Sequence, residues 1–224
     1  MGVMGWMVAA GAVGAATWGW RRWTLAARLR FIDQSPLPRS VRTALRAEFP
    51  GWSESQCEAV ERGLRQYFRV CAKSRGAWVA TPSKAVDAAW HAFILDTRAY
   101  ERFCHRAFGR LLHHTPAEAL PEGQAAQRLK DGLTRAWRGA CQDEGRPVHP
   151  PTALPLLFAL DLDLAVPGGY RYEPDCRHLG RDRGDTHCAT ALSGCGGSGA
   201  SDDARGSGDG ADGGGDAGGG CGGD

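Results

Sequence analysis

Four residues with metal-binding side chains lie in the middle of the chain: Asp87, His91, His113 and His114. Asp87 and His91 are four residues apart, so on a helix they share one flank. The two later histidines follow the next predicted helix, which must return antiparallel because the connection is short. We therefore expect Asp87, His91 and one later histidine to meet at one end of a helical hairpin. A carboxylate and two imidazoles there could bind zinc, or act as a base and its orienting group.

The same residues also have a purely structural interpretation, which we favour because it needs no ligand. His91 would then hydrogen-bond Asp87 or a backbone carbonyl. His113 and His114 would end a helix, where cations interact well with the helix dipole. Spacing cannot separate the two interpretations, because both place the same side chains together.

A second candidate set of zinc ligands lies in the C-terminal third: Cys176, His178, His187, Cys188 and Cys195. The residue types suit zinc, but no C-x-x-C turn fixes two of them together. The alternative is a flexible segment with solvated, reduced thiols. The chain has no Gly-x-Ser-x-Gly elbow, phosphate-binding loop or dinucleotide fingerprint, so the sequence assigns no reaction and no catalytic residue.

Residues 31–145 have the apolar spacing of amphipathic helices. Start signals precede the predicted helices at Pro38, Ser53, Ser83, Asp96 and Thr115, and Gly109 is a predicted helix end. Strand-like alternation of useful length is missing from the sequence. The pattern predicts an all-α protein whose core domain is a compact bundle of about five helices.

The N-terminal residues 1–20 carry no charge, and Arg21 and Arg22 follow at once. Twenty helical residues span roughly 30 Å, the thickness of a bilayer core. We therefore expect residues 1–23 to be a transmembrane anchor in the lipid bilayer. The arginines behind it predict a single-pass protein of the cell membrane whose bulk lies in the cytoplasm. The alternatives are a cleaved signal peptide and a helix that lies on a surface or is buried.

The C-terminal third differs in composition from the helical region. Residues 146–193 read as a proline-rich connector with a short docking segment. In residues 194–224, fifteen of 31 residues are glycine, and the large apolar side chains are missing. Such a segment cannot offset the entropy lost on ordering, so we expect a disordered tail.

The charge distribution bears on the choice of partner. The chain has 27 basic and 25 acidic residues, but just behind the apolar N-terminus, in residues 21–53, seven arginines face only two acidic residues. This arrangement indicates an anionic membrane surface and not nucleic acid.

The stretch from Pro82 to Pro116 resembles the bacterial glycine-rich domain-containing protein-like family. The similarity rests on the run from Pro82 to Leu95, on Phe108-Gly109-Arg110 and on His113-His114-Thr115-Pro116, and it extends to Leu154–Asp161. The resemblance implies an N-terminal apolar segment, a helical core and a Gly/Cys-rich tail, but no established activity. This tail departs from the pattern, because only Cys195 and Cys221 lie in glycine runs.

These observations predict a membrane-anchored helical interaction or scaffold module that needs no cofactor. Its expected partner is the lipid bilayer, through residues 1–23, and a protein partner is a further possibility. The alternative is a metal-dependent enzyme or a metal-binding protein. It would use either the Asp87 group or the Cys/His residues of the C-terminal third.

Overall fold

The structure is a computed structural model that describes residues 3–115, 123–177, 179 and 186–193, with side chains from residue 13 onward. The chain is mostly helical, as predicted. The described elements are α1 (Val3–Gln34), α2 (Arg39–Glu48), α3 (Glu54–Lys73), α4 (Lys84–Leu95), α5 (Thr97–Phe108), α6 (Ala125–Asp143), α7 (Leu156–Asp163), β1 (Arg171–Glu173), β2 (Thr186–Cys188) and α8 (Ala189–Leu192).

Local signals set the helix ends. Ser53 forms a capping box with Gln56 at the start of α3. Ser83 accepts a hydrogen bond from the Val86 N–H at the start of α4, and Asp96 caps α5 in the same way. Gly109 ends α5 with φ of +74°, a left-handed conformation that only glycine adopts at little cost.

Helix α3 lies at the centre and contacts α1, α2, α4, α5, α6 and α7. Its Phe68 is completely buried in an aromatic cluster with Trp90, Phe93, Phe103 and Phe108. Gly63 lets α7 approach closely, since a Cβ at this position would lie 2.3 Å from Leu160 Cδ1. Burial of this apolar surface is the main driving force for folding.

The segment predicted as a connector with a docking piece contributes α7 to the core. Leu157, Phe158 and Leu160 are fully buried, and Phe158 packs edge-on against Trp137 of α6 at 5.2 Å. The apolar face of this short helix therefore completes the bundle.

Two short strands add a feature that the sequence did not predict. β1 and β2 pair in parallel, with Tyr172 opposite His187, and a disulfide joins Cys176 to Cys188. Strands of three residues are too short to show an alternating pattern, which explains the difference from a purely helical prediction.

Helix α1 runs without a break from the N-terminal segment into the body, where Ile32 is fully buried. The transmembrane helix predicted for residues 1–23 is not supported. Among the described residues, no helix combines the length and apolar character needed to cross a membrane. The physical reason is composition: ten of the first twenty residues are Gly or Ala and none is Leu or Ile. The predicted tail, 194–224, lies outside the described residues.

Candidate metal centre

The candidate centre is built by α4 and by the segment that follows α5. Asp87 lies in the first turn of α4 and His91 one turn later, so both side chains leave the same flank. His114 comes back to this flank after α5 reverses the chain direction. The helical hairpin predicted from the sequence therefore brings three of the four residues together.

The three side chains are within ligand distance of one another. His114 Nε2 donates to Asp87 Oδ1 at 3.0 Å, and His91 Nδ1 lies 3.2 Å from Asp87 Oδ2. The imidazole centroids of His91 and His114 are 4.2 Å apart. One ligand atom from each residue fits within 4.8 Å of the other two.

His114 is held in place by packing. Its ring contacts Trp90 edge-on at 4.5 Å, and its side chain is only 14% exposed. Trp90 Nε1 donates to Tyr100 Oη, which in turn donates to the Leu112 carbonyl two residues before His114. Burial raises the pKa of Tyr100, so the hydroxyl remains a neutral donor. This chain of contacts fixes the segment that carries His114.

Asp161 of α7 positions the start of α4. Its buried carboxylate accepts from Ser83 Oγ at 2.6 Å and from the Lys84 N–H at 2.8 Å. The sequence reasoning missed this residue. The signal was weak, because Asp161 lies 78 residues from Ser83 and looks like one acid in an apolar run.

An open cleft of about 370 Å³ adjoins the three ligands. Its other lining residues include Trp78, Thr81 and Lys84, none of which the sequence pointed to. Lys84 adds a basic residue to this lining. A ligand on the metal would therefore meet both an apolar wall and a cation.

The remaining candidate residues are placed elsewhere or not described. His113 is exposed and lies outside the group of three. Cys176 and Cys188 form the disulfide, so neither sulfur offers a thiolate in this state. His187 packs against Tyr172 at 5.4 Å. His178 and Cys195 lie outside the described residues.

The donor set fits a divalent transition metal. Ligand atoms about 2.0–2.2 Å from a tetrahedral zinc ion lie roughly 3.3–3.6 Å from one another. The Asp87 contacts are 3.0 Å at Oδ1 and 3.2 Å at Oδ2, and one ligand atom from each residue lies within 4.8 Å of the others, so the side chains would have to shift to admit an ion. The structural interpretation has support too, because His91 Nδ1 also donates to the Asp87 carbonyl oxygen at 3.0 Å.

Comparison with curated proteins and with solved structures finds no match. A family model, UCP032817-like, matches residues 27–192. The assignment to the glycine-rich domain-containing protein-like family is therefore wrong: the match covers the helical body and stops before the glycine-rich tail on which the resemblance partly relied. The matched range includes Asp87, His91 and His114, and the chain belongs to the uncharacterised UCP032817-like family.

Proposed function

We propose that this protein binds a divalent transition metal, zinc in the first place, through Asp87, His91 and His114. The observation that supports the proposal is the convergence of one carboxylate and two imidazoles within 4.8 Å at the edge of a cleft. Two histidines and one carboxylate are a ligand set of zinc and of non-haem iron sites.

Three protein ligands leave at least one coordination position for water or for a ligand from the cleft. A metal ion in such a site lowers the pKa of a bound water and polarises a bound carbonyl or phosphoryl oxygen. The position of Lys84 on the lining favours an anionic ligand. The chemistry available to the site is therefore Lewis-acid chemistry on a small anionic molecule.

The fixed surroundings also favour binding. His114 is held by Trp90, and Asp87 by the capped first turn of α4, so little side-chain freedom is lost when a metal enters. A metal would replace the proton between His114 Nε2 and Asp87 Oδ1, because it competes for the same lone pairs.

The test is calorimetric titration of the full-length chain with zinc, after chelation and dialysis, supported by cobalt(II) absorption spectra. We expect one ion per chain. Asp87→Asn and His91→Ala should each weaken binding at least ~100-fold, since even the loss of an outer-shell partner costs 10–100-fold. Zinc at about 100 times its Kd should raise the free energy of unfolding by about 2.7 kcal/mol.

The matched control is His113→Ala, which removes an adjacent exposed histidine outside the group and should leave the affinity unchanged. Zinc binding that survives Asp87→Asn would contradict the proposal. If binding is lost instead in a Cys195→Ser, Cys221→Ser double variant, the ion belongs to the C-terminal cysteines. If the chain binds no zinc, cobalt or iron, the metal proposal is wrong and the interaction module without a metal is favoured instead.

A further inference from the structure

The part of α1 that precedes the body is exposed and rich in tryptophan. Every residue from 13 to 23 is exposed. Trp18, Trp20 and Trp23 are each at least 60% exposed, although large aromatic side chains normally find a partner. Three such tryptophans within six residues indicate a surface that meets something other than water.

A cationic groove lined by Trp18 lies where α1 passes the end of α3 and the end of α5. Its basic residues are Arg21, Arg22, Arg28, Lys73, Arg75 and Arg110, and no Asp or Glu is among its described lining residues. Lys73 is engaged by Asp143. The five arginines form no ion pair with any carboxylate in the described ranges, so their charge is available to an anion.

The fold brings these arginines together from separate parts of the chain. Arg28 packs over Gly109 at the end of α5, and Arg110 packs over Gly76 after α3. A Cβ at Gly109 would crowd the guanidinium group, at 2.5 Å from Arg28 Nη2, whereas one at Gly76 would lie in ordinary contact with Arg110 Nη2 at 3.4 Å. The groove is therefore a product of tertiary packing and not only of the Arg21-Arg22 pair in the sequence.

Tryptophan and arginine also contact each other here. The Arg22 guanidinium lies 4.8 Å from the Trp18 ring centre, and the Trp20 and Trp23 rings are 5.5 Å apart. Tryptophan prefers the headgroup level of a bilayer, where its ring is half apolar and half hydrated. Arginine forms paired hydrogen bonds with phosphate groups.

We propose that α1 residues 13–23 and the cationic groove dock on an anionic lipid surface, with the tryptophans at headgroup level and the arginines on lipid phosphates. This is peripheral docking and needs no membrane-spanning helix. Charge decides what binds at this surface. A second copy of the chain would place its own five unpaired arginines against the five of the first, and the like charges would repel. A neutral surface would leave those arginines without counter-charges.

The test uses the full-length chain and vesicles of phosphatidylcholine alone or of equal parts phosphatidylcholine and phosphatidylglycerol. Co-sedimentation should show at least about tenfold stronger partitioning onto the anionic vesicles, falling as sodium chloride is added. Tryptophan emission should shift to shorter wavelength on binding.

Two variants separate the contributions. Trp18→Ala, Trp20→Ala and Trp23→Ala together should remove the emission shift and weaken partitioning at least about fivefold. Arg21→Gln, Arg22→Gln, Arg75→Gln and Arg110→Gln together should abolish the preference for anionic vesicles. The matched control changes four exposed arginines outside the groove, Arg98, Arg102, Arg128 and Arg138, to Gln and should bind as the parent does.

Equal partitioning onto both kinds of vesicle would overturn the proposal, as would an equal loss of binding in the groove and control variants. A vesicle-free dimer that the tryptophan variant abolishes would assign this surface to a second copy. A chain that binds anionic vesicles only after removal of residues 194–224 would assign the groove to the acidic tail.

Discussion

Asp161 is the residue on which the start of α4 depends. Its carboxylate is 3% exposed and accepts from Ser83 Oγ and from the backbone N–H groups of Lys84, Ala85 and Tyr170. A buried carboxylate is tolerated only where its oxygens find donors, and the N-terminus of a helix supplies them. Asp161 thus ties α7 and the turn before β1 to the helix that carries Asp87 and His91.

Asp161→Asn should therefore lower the free energy of unfolding by roughly 2–4 kcal/mol, because an amide group would face backbone donors that then lose their acceptor. Urea unfolding followed by circular dichroism measures this change. Asp163→Asn is the matched control, since Asp163 is exposed on the same helix and should shift the value by less than about 0.5 kcal/mol. Equal effects of the two substitutions would show that the buried hydrogen bonds contribute little.

At this scale the sequence predicted part of the site and missed its support. The four-residue spacing of Asp87 and His91 was sufficient to place both on one flank of a helix. Spacing could not decide between His113 and His114, because both lie in a segment without regular structure, where the side-chain direction depends on packing against Trp90. Asp161 was beyond reach, since its contacts with residues 83–85 are purely tertiary.

Between elements, Asp143 of α6 joins the central helix to its neighbours. Its carboxylate lies 2.6 Å from Arg69 Nη2 and 2.5 Å from Lys73 Nζ, both on α3, and Arg69 also reaches Asp33 of α1. Burial alone raises the pKa of Asp143, but the hydrogen bonds and charges of Arg69 and Lys73 outweigh burial and lower it below 3.8. The folded state therefore favours the ionised carboxylate.

This depressed pKa makes stability depend on acidity. The contribution of Asp143 is fully present above the unfolded-state pKa near 3.8 and is lost as the pH falls through the lower folded-state pKa. At pH 7, Asp143→Asn should cost about 2 kcal/mol, as loss of charge-assisted hydrogen bonds does. Below pH 4, the stability of the variant should fall less steeply than that of the parent.

Urea unfolding at a series of pH values from neutral to acidic measures both effects. Asp131→Asn, an exposed acid on the same helix, is the control and should follow the parent curve. A variant curve parallel to that of the parent throughout the acidic range would contradict the pKa direction given for Asp143.

The elements themselves were predictable to the extent that their signals are local. The caps at Ser53, Ser83 and Asp96 and the end at Gly109 each act within a few residues, and the structure has them where the sequence indicated. The packing of α7 at Gly63 and the pairing of β1 with β2 were not predictable. Gly63 lies 97 residues before Leu160 of α7, and strands of three residues leave no periodic pattern.

For the molecule as a whole, the range of the family match and the range of the folded body nearly coincide. The match covers residues 27–192, which contain the whole apolar core of the described part of the chain and the candidate metal centre. The exposed part of α1, residues 13–23, and residues 194–224 lie outside it. The proposed metal function therefore belongs to the part of the chain that defines the family. The proposed lipid docking uses groove residues of that part together with residues 13–23, which lie outside it.

The composition of residues 194–224 leads to a prediction for the intact protein. The segment has no side chain larger than that of Asp apart from Arg205, so it can add almost nothing to apolar burial. A chain ending at residue 193 should keep the same zinc affinity and a Tm within about 2 °C of the parent, a shift that corresponds to roughly 0.5 kcal/mol.

Differential scanning calorimetry and zinc titration of the two chains check this expectation. A chain ending at residue 185 is the informative comparison, because it also loses the disulfide and the buried side chains of Ala189 and Leu192. Closing a loop of this size with a disulfide contributes about 3 kcal/mol, so this chain should melt several degrees lower. A comparable decrease in Tm on removing residues 194–224 alone would contradict this prediction, because it would mean that the tail contributes to the stability of the folded body.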